Sequence, residues 1–165
     1  MDDAAVRRQL LAALTEDARQ GPEDLARQLG IGEDRAAAAL SALEEDGVVR
    51  GYQAVVDWDE TDAPYVTAEV ELNVELDRET SYEDVARRVV KFSEVESLRL
   101  VSGDFDFAAT VSGESMNDIS HFIAERIATI PEVTQTVTHF VMETYKDRGV
   151  EFEGTDEDDR LSVSP

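Results

Sequence analysis

The chain has 165 residues, no cysteine, and 38 acidic against 15 basic side chains, for a formal charge of −23. That length holds one or two small domains burying roughly 70% of their unfolded surface, and the missing thiols exclude disulfides, thiolate metal sites and a cysteine nucleophile. No apolar run approaches about 18 residues, and the start Met1-Asp2-Asp3-Ala4-Ala5 lacks a basic segment and an apolar core, so neither a membrane span nor a secretory signal is expected and the chain is placed in the cytoplasm.

In chain order, Val6, Leu10, Leu11 and Leu14 fall on one face of a helix predicted from Asp3 to Leu14 or slightly beyond. Gly21-Pro22 restarts the chain, and a second helix is expected over Pro22 to Leu29, with proline at its first position and Glu23 and Asp24 at its positive end. Gly30-Ile31-Gly32 reads as a tight turn, followed by a third helix from about Glu33 to Asp46, with Ala36, Leu40 and Leu43 inward and Gly47 as its stop. Two short helices joined by a glycine turn form a helix-turn-helix with the third helix as groove reader, or else a plain three-helix packing unit. The run Leu43 to Asp57, in which Glu-Glu-Asp-Gly turns into a Val-Val-Arg-Gly-Tyr strand, adds the wing of a winged helix-turn-helix.

Asp57 to Pro64 is polar and ends in proline, as a linker does. Strict alternation predicts a strand over Tyr65 to Leu76. A Thr80-x-x-Glu83 capping box then opens a helix to about Phe92, with Val85 and Val89 inward. Strands follow at Val95 to Val101 and Phe105 to Ser112, joined through the Ser102-Gly103-Asp104-Phe105-Asp106-Phe107 turn. Ser115-x-x-Asp118 caps a second helix whose Ile119, Ile123 and Ile127 form one stripe, and a last strand runs from about Val133 to Tyr145. The order β-α-β-β-α-β is the ferredoxin-like plan.

In that last strand, Val133, Val137 and Val141 are assigned to one face and Thr134, Thr136, Thr138, Phe140 and Met142 to the other. The second face is expected to stand open, and its apolar groups imply a partner. Beyond Tyr145, Asp156 to Asp159 reads as a solvated loop, and Leu161 and Val163 as a short docking strand. His121 and His139 lie on different elements and no glycine-rich phosphate loop appears, so no catalytic or metal site is expected.

The pieces Ala26 to Ile31, Leu43 to Asp57, Ser102 to Phe107 and Ile130-Pro131-Glu132-Val133 together resemble the leucine-responsive regulator/AsnC (Lrp/AsnC) family of transcription factors, in that family's order and spacing. The resemblance implies an α+β chain: a winged helix-turn-helix domain over 1–56, a linker over 57–64, a ferredoxin-like (RAM-type) sensing and oligomerisation domain over 65–146, and an acidic extension over 147–165. It implies a palindromic double-stranded DNA operator as partner, sheet-against-sheet homodimers building to octamers, and no cofactor beyond an amino-acid or similar small-molecule effector. Effector contacts fall on Gly103, Asp104, Phe105 and Asp106, which match the family's glycine-aromatic-aspartate signature, and on Thr136 and Thr138. An exposed carboxylate beside backbone N–H groups suits an amino acid's ammonium and carboxylate; the alternative is a hairpin turn in which Asp104 bonds its own backbone.

DNA contacts fall on Gly32, Glu33 and Arg35 at the start of the third helix, with Arg27 and Arg50 as phosphate anchors or surface ion-pair partners. Family members usually carry Ser or Thr where this chain has Gly32, and a pair of basic residues along a helix that here holds Arg35 alone, followed by Ala36 to Ala39. Residues 1–62 carry 6 basic and 15 acidic side chains, a formal −9. A ligand-sensing member pairing with related regulators and binding little DNA itself is therefore the alternative. Sirohaem decarboxylases resemble the same fold but use a histidine- and arginine-rich stretch between the domains, which Asp57 to Thr67 lacks. Thirteen of the basic residues are arginine, and the acids spread over every segment. That pattern resembles proteins of salt-accumulating halophiles and implies a haloarchaeal source, where molar salt screens charge within about 3 Å.

Overall fold

Helices α1 (Asp3–Glu16), α2 (Pro22–Leu29) and α3 (Glu33–Glu45) form the first unit of the protein, a computed structural model of which describes residues 2–152. This unit comprises the described residues up to Val56 together with Lys146–Glu151, and the second comprises Asp57–Tyr145 with Phe152. Asp2 caps α1 by accepting the Ala5 N–H at 2.7 Å. Gly30, at φ +66°, ends α2 in the left-handed conformation that glycine takes without steric cost, and Ile31 returns its N–H to Ala26 O at 3.1 Å. Val6 and Leu10 of α1, Leu25 of α2 and Leu43 of α3 close the core, each at most 1% exposed.

The strand expected within Val48 to Asp57 does not form. Val48 and Val49 both return their N–H groups to Leu43 O, closing α3, and no ladder partner lies alongside among the described residues. A strand exists only where a neighbour satisfies its N–H and C=O rows. The same unit gains instead a small hairpin, β5 (Lys146–Asp147) and β6 (Val150–Glu151), turned by Arg148 and Gly149 at φ +46° and +86°. Arg148 donates from Nη1 to Gln53 Oε1 at 2.8 Å.

In the second unit Trp58–Glu60 makes a 3₁₀ turn and the Trp58 ring stacks on Tyr65 at 4.3 Å. Then follow β1 (Val66–Val74), α4 (Tyr82–Val89), β2 (Val95–Leu100), β3 (Phe107–Gly113), α5 (Met116–Phe122, continuing as a π-helical turn over Ile123–Ile127) and β4 (Val133–Phe140). The sheet is antiparallel in the order β2-β3-β1-β4, the ferredoxin-like topology expected. Ala68, Val70, Leu72, Phe107, Ala109 and Val111 turn one sheet face to Val85 and Val89 of α4 and to Ile119, Phe122, Ile123 and Ile127.

The cap of α4 moves by one residue, and β4 is shorter than expected, with a different face toward the helices. Ser81, not Thr80, caps α4: its hydroxyl accepts the Asp84 N–H at 3.3 Å and Asp84 accepts the Ser81 N–H at 2.9 Å. Thr80 is already engaged upstream, its N–H donating to Asp77 at 2.8 Å. Strand β4 ends at Phe140, and although Thr136, Thr138 and Phe140 share a face as expected, that face is the covered one and not the open one, and Val133 joins it. Thr136, Thr138 and Phe140 stand opposite Leu72, Val70 and Ala68, so they share the helix-packed face, and Phe140 packs on the core. The ladder slips between Asn73 and Val74, where Val133 pairs with Val74 and Thr134 is the extra residue of a bulge.

The open face is consequently mostly polar, with Val137 opposite Glu71. Arg99 donates to Ser97 (3.2 Å), Ser97 to Thr110 (2.8 Å) and Thr110 to Glu69 (2.9 Å), while His139 Nε2 meets Glu71 Oε1 at 3.1 Å. Met142, placed with Phe140 in the sequence reading, lies past the end of β4 and is exposed. The expected Asp156–Asp159 loop and the Leu161 and Val163 strand lie outside the described residues. Among the described residues no helix is long and apolar enough to cross a membrane.

Candidate functional site

Helix α3 presents Asp34, Ala38, Ser41 and Glu45 outward, with Ala36 and Leu43 buried beneath. Gly32 occupies the N-cap position in extended backbone (φ −69°, ψ 146°), offering no side chain to the helix amides, and Glu33 is exposed beside it. Arg35 is exposed but does not extend alone: its Nη2 lies 2.6 Å from Asp3 Oδ1 of α1. Arg7 of α1 likewise meets Asp46 at 2.7 Å. Arg27 is held by Glu23 and Asp24 on its own helix at 3.0 and 3.2 Å. Arg50 is exposed and makes no ion pair among the described residues. Three of these arginines thus enter any contact with a phosphate already facing a carboxylate.

The second candidate site is the turn between β2 and β3. Gly103 sits at φ +125°, which only glycine adopts readily, and lets the chain reverse over Ser102–Asp106. Asp104 is exposed: its backbone carbonyl accepts Asn73 Nδ2 at 2.9 Å, while its carboxylate has no partner among the described residues. Phe105 is half-buried. Asp106 is different in kind. Its Oδ2 accepts the Val74 N–H at 2.8 Å, its Oδ1 accepts the Tyr82 hydroxyl at 3.1 Å, and its own N–H donates to Leu72 O at 3.0 Å. That carboxylate raises the Tyr82 phenol above its ordinary value, because ionisation would remove the donor and add a second negative charge.

Leu72 is paired with Phe107 on one side and Thr136 on the other, which brings Thr136 to the turn's end of the sheet, two strand spacings (about 10 Å) from Phe107. Thr138, opposite Val70, lies one pair deeper, and both threonines are half-buried. The sequence reading missed Asn73, Val74 and Tyr82 as neighbours of the turn; they come from β1 and the first turn of α4, and only the tertiary fold brings them there. Among the described residues no cluster of three or more histidine or acidic side chains is arranged to hold a metal ion. His121 pairs with Glu125 on its own helix at 3.8 Å, away from His139 and its Glu71.

The architecture coincides with that of known proteins along nearly the whole chain. A family profile described as the Lrp/AsnC ligand binding domain matches residues 67–151, and one described as winged helix-turn-helix DNA-binding matches residues 4–50. The chain is 35% identical over 158 residues to the HTH-type transcriptional regulator YugG of Bacillus subtilis, spanning 95% of each chain. It is 27% identical over 139 residues to the leucine-responsive regulatory protein of Escherichia coli, spanning 84% of each. Its fold is similar to that of the leucine response regulatory protein of Mycobacterium tuberculosis, with a TM-score of 0.73, 26% identity, and 90% and 97% of the two chains covered. The chain belongs to the Lrp/AsnC family: it is a DNA-binding transcriptional regulator that joins a winged helix-turn-helix unit to a ligand-binding domain of ferredoxin-like fold.

Proposed function

We propose that this regulator senses a free amino acid at the Ser102–Asp106 turn, dimerises through its open sheet face, assembles further to octamers, and reads a palindromic operator through α3 in a salt-rich cytoplasm. The observation that carries the effector reading is the chemistry of the turn. The N–H groups of Gly103, Asp104 and Phe105 have no hydrogen-bond acceptor among the described residues, and the Asp104 carboxylate beside them has no donor. Three free amide donors and one free carboxylate suit the two ends of a zwitterion. Thr136 supplies a hydroxyl at the same end of the sheet. The leucine-responsive name of the Escherichia coli relative points the same way.

For DNA, Arg35, which would have to leave Asp3, and Arg50 are the cations assigned to base and phosphate contact, alongside Gly32, Glu33 and Arg27. The spread of acids and the preference for arginine support a haloarchaeal source, whose molar salt would leave only short-range contacts to decide binding. A second reading is favoured by one feature. Helix α3 carries four carboxylates, Glu33, Asp34, Glu44 and Glu45, against a single arginine that already faces Asp3. A ligand-sensing subunit that reaches DNA only through hetero-oligomers with related regulators would have that surface.

Footprinting on operator-containing fragments at KCl from 0.1 M upward, with and without amino acids, separates the two. A footprint that changes with an added amino acid supports the first reading. An intact oligomer that binds amino acids but leaves no footprint at any salt supports the second.

A further inference from the structure

Among the described residues, the one strand ladder of the helix-turn-helix unit comes from the far end of the chain. Hairpin β5–β6 belongs to that unit, whereas the strand expected within Val48 to Asp57 does not form. At the hairpin tip Arg148 and Gly149 both have positive φ, +46° and +86°, as a tight two-residue turn requires. Glycine takes that backbone freely, but an arginine there is strained, and Arg148 is the one non-glycine residue with positive φ among the described residues. A side chain kept at a strained position points to a task for that side chain. The Arg148 side chain is 60% exposed and donates from Nη1 to Gln53 Oε1, a neutral acceptor, at 2.8 Å. Its contact with the Asp147 carboxylate is long, at 4.0 Å. Arg7, Arg27 and Arg35 of the same unit face carboxylates at 2.7, 3.0 and 2.6 Å. Gln53 follows Tyr52, whose hydroxyl donates to Glu44 Oε1 of α3 at 2.8 Å, and Val48 and Val49, whose amides close α3. The hairpin tip is thus tied to the end of α3 through the residues that follow that helix.

From this placement we propose that hairpin β5–β6 takes the place of the missing wing, and that Arg148, aimed by Gln53, is a phosphate contact to double-stranded DNA beside α3, supplied by the C-terminal end of the chain. A planar guanidinium matches two oxygens of a phosphate and keeps its charge at every pH of interest. An amide oxygen is the suitable holder for such a group. It orients the guanidinium without cancelling its charge, as Asp3 does for Arg35 and as Glu23 and Asp24 do for Arg27. Contacts to the sugar-phosphate backbone fix register and add affinity but carry no base information. Arg148 therefore supplies anchoring that the acidic α3 lacks, and sequence choice stays with that helix.

The test measures anisotropy of a labelled random-sequence DNA duplex with the full chain and with Arg148→Gly, Arg148→Lys and Gln53→Glu, at KCl from about 0.1 M to 1 M. A backbone contact is independent of sequence, so no operator is needed. Amide exchange over β5 and β6 is followed in parallel. Arg148→Gly should weaken binding roughly fivefold to tenfold at about 0.1 M KCl and lower the slope of log affinity against log salt by about 1. Its hairpin amides should stay at least as protected as the parent's, because glycine suits the turn. Arg148→Lys should keep the parent's slope. Gln53→Glu should hold the hairpin in place yet weaken binding as Arg148→Gly does, because a carboxylate there competes with phosphate for the guanidinium. The proposal is overturned if Arg148→Gly or Gln53→Glu, with the hairpin protected, binds with the parent's affinity and slope. It is also overturned if Arg148→Gly weakens binding only together with loss of hairpin protection, which would make the role of Arg148 structural. A parent that binds no duplex at any salt overturns it too, together with DNA binding by this chain alone.

Discussion

Arg35, the sole basic residue of α3, and Asp3, at the start of α1, are joined at 2.6 Å across the helix-turn-helix unit. Both are accessible, with 43% and 91% of their side chains exposed, so the pair contributes at most about 1 kcal/mol to stability. It nevertheless competes for the one side chain of that helix able to make a bidentate contact to guanine. Asp3→Asn should leave the melting temperature nearly unchanged and tighten operator binding by up to about fivefold, the equivalent of that same energy. Anisotropy titrations of the two proteins at one salt concentration check this.

Gly32 leaves the amides of α3 without a side-chain cap, although its extended backbone is the one a capping serine adopts and a Cβ there would meet nothing within 4 Å. Gly32→Ser should therefore stabilise the first unit by a few tenths of a kcal/mol, raising its melting temperature by about 1–3 °C. Calorimetric scans of parent and variant measure the difference.

In the second unit Arg88 Nη2 lies 2.7 Å from Glu132 Oε2, and the guanidinium beside it holds the Glu132 carboxyl below its ordinary value. The Ser81 hydroxyl does the same for Asp84, and the Glu79 amide for Asp77. A carboxylate with a depressed folded pKa adds stability that is complete above its unfolded value, about 4.3 for a glutamate, and lost as pH falls through the folded value. Glu132→Gln should thus be less stable than the parent at neutral pH, with the gap narrowing below about pH 4.5. A gap that is constant across denaturation curves from pH 3 to 7 would contradict the assignment.

Phe107 is 2% exposed between the sheet and the helices and touches the ring of Tyr82. Phe107→Ala should cost about 3–5 kcal/mol, transfer and cavity contributions together. That is a large share of the stability of a small domain, and urea unfolding of the full chain should show a separate early transition for the second unit.

How much of this was legible in the sequence depended on how local its cause is. Pro22, Gly30 and Ser115 act within one turn of chain, and the helices they bound begin or end where the sequence places them. The cap of α4 slipped by one residue because Asp77 draws the Thr80 amide upstream, a competition that two adjacent hydroxyl residues, Thr80 and Ser81, do not reveal. The faces of β4 inverted because Thr134 is a bulge, and a period of two cannot register an extra residue that only the partner strand defines. Phe140, expected on the open face, packs on the core instead. The turn itself stood out through Gly103 and its aspartates. The difference between Asp104 and Asp106 did not, since it rests on Asn73 and Tyr82, 31 and 24 residues away.

The most direct test of the account is capture of sheared genomic DNA by the purified protein in about 2 M KCl, where screening between exposed charges is nearly complete, run beside Arg35→Ala. Enrichment of a small set of palindromic sites by the parent, lost in the variant, is the predicted result. An intact oligomer that still binds amino acids but enriches no site, or enriches the same sites without Arg35, would contradict reading through α3.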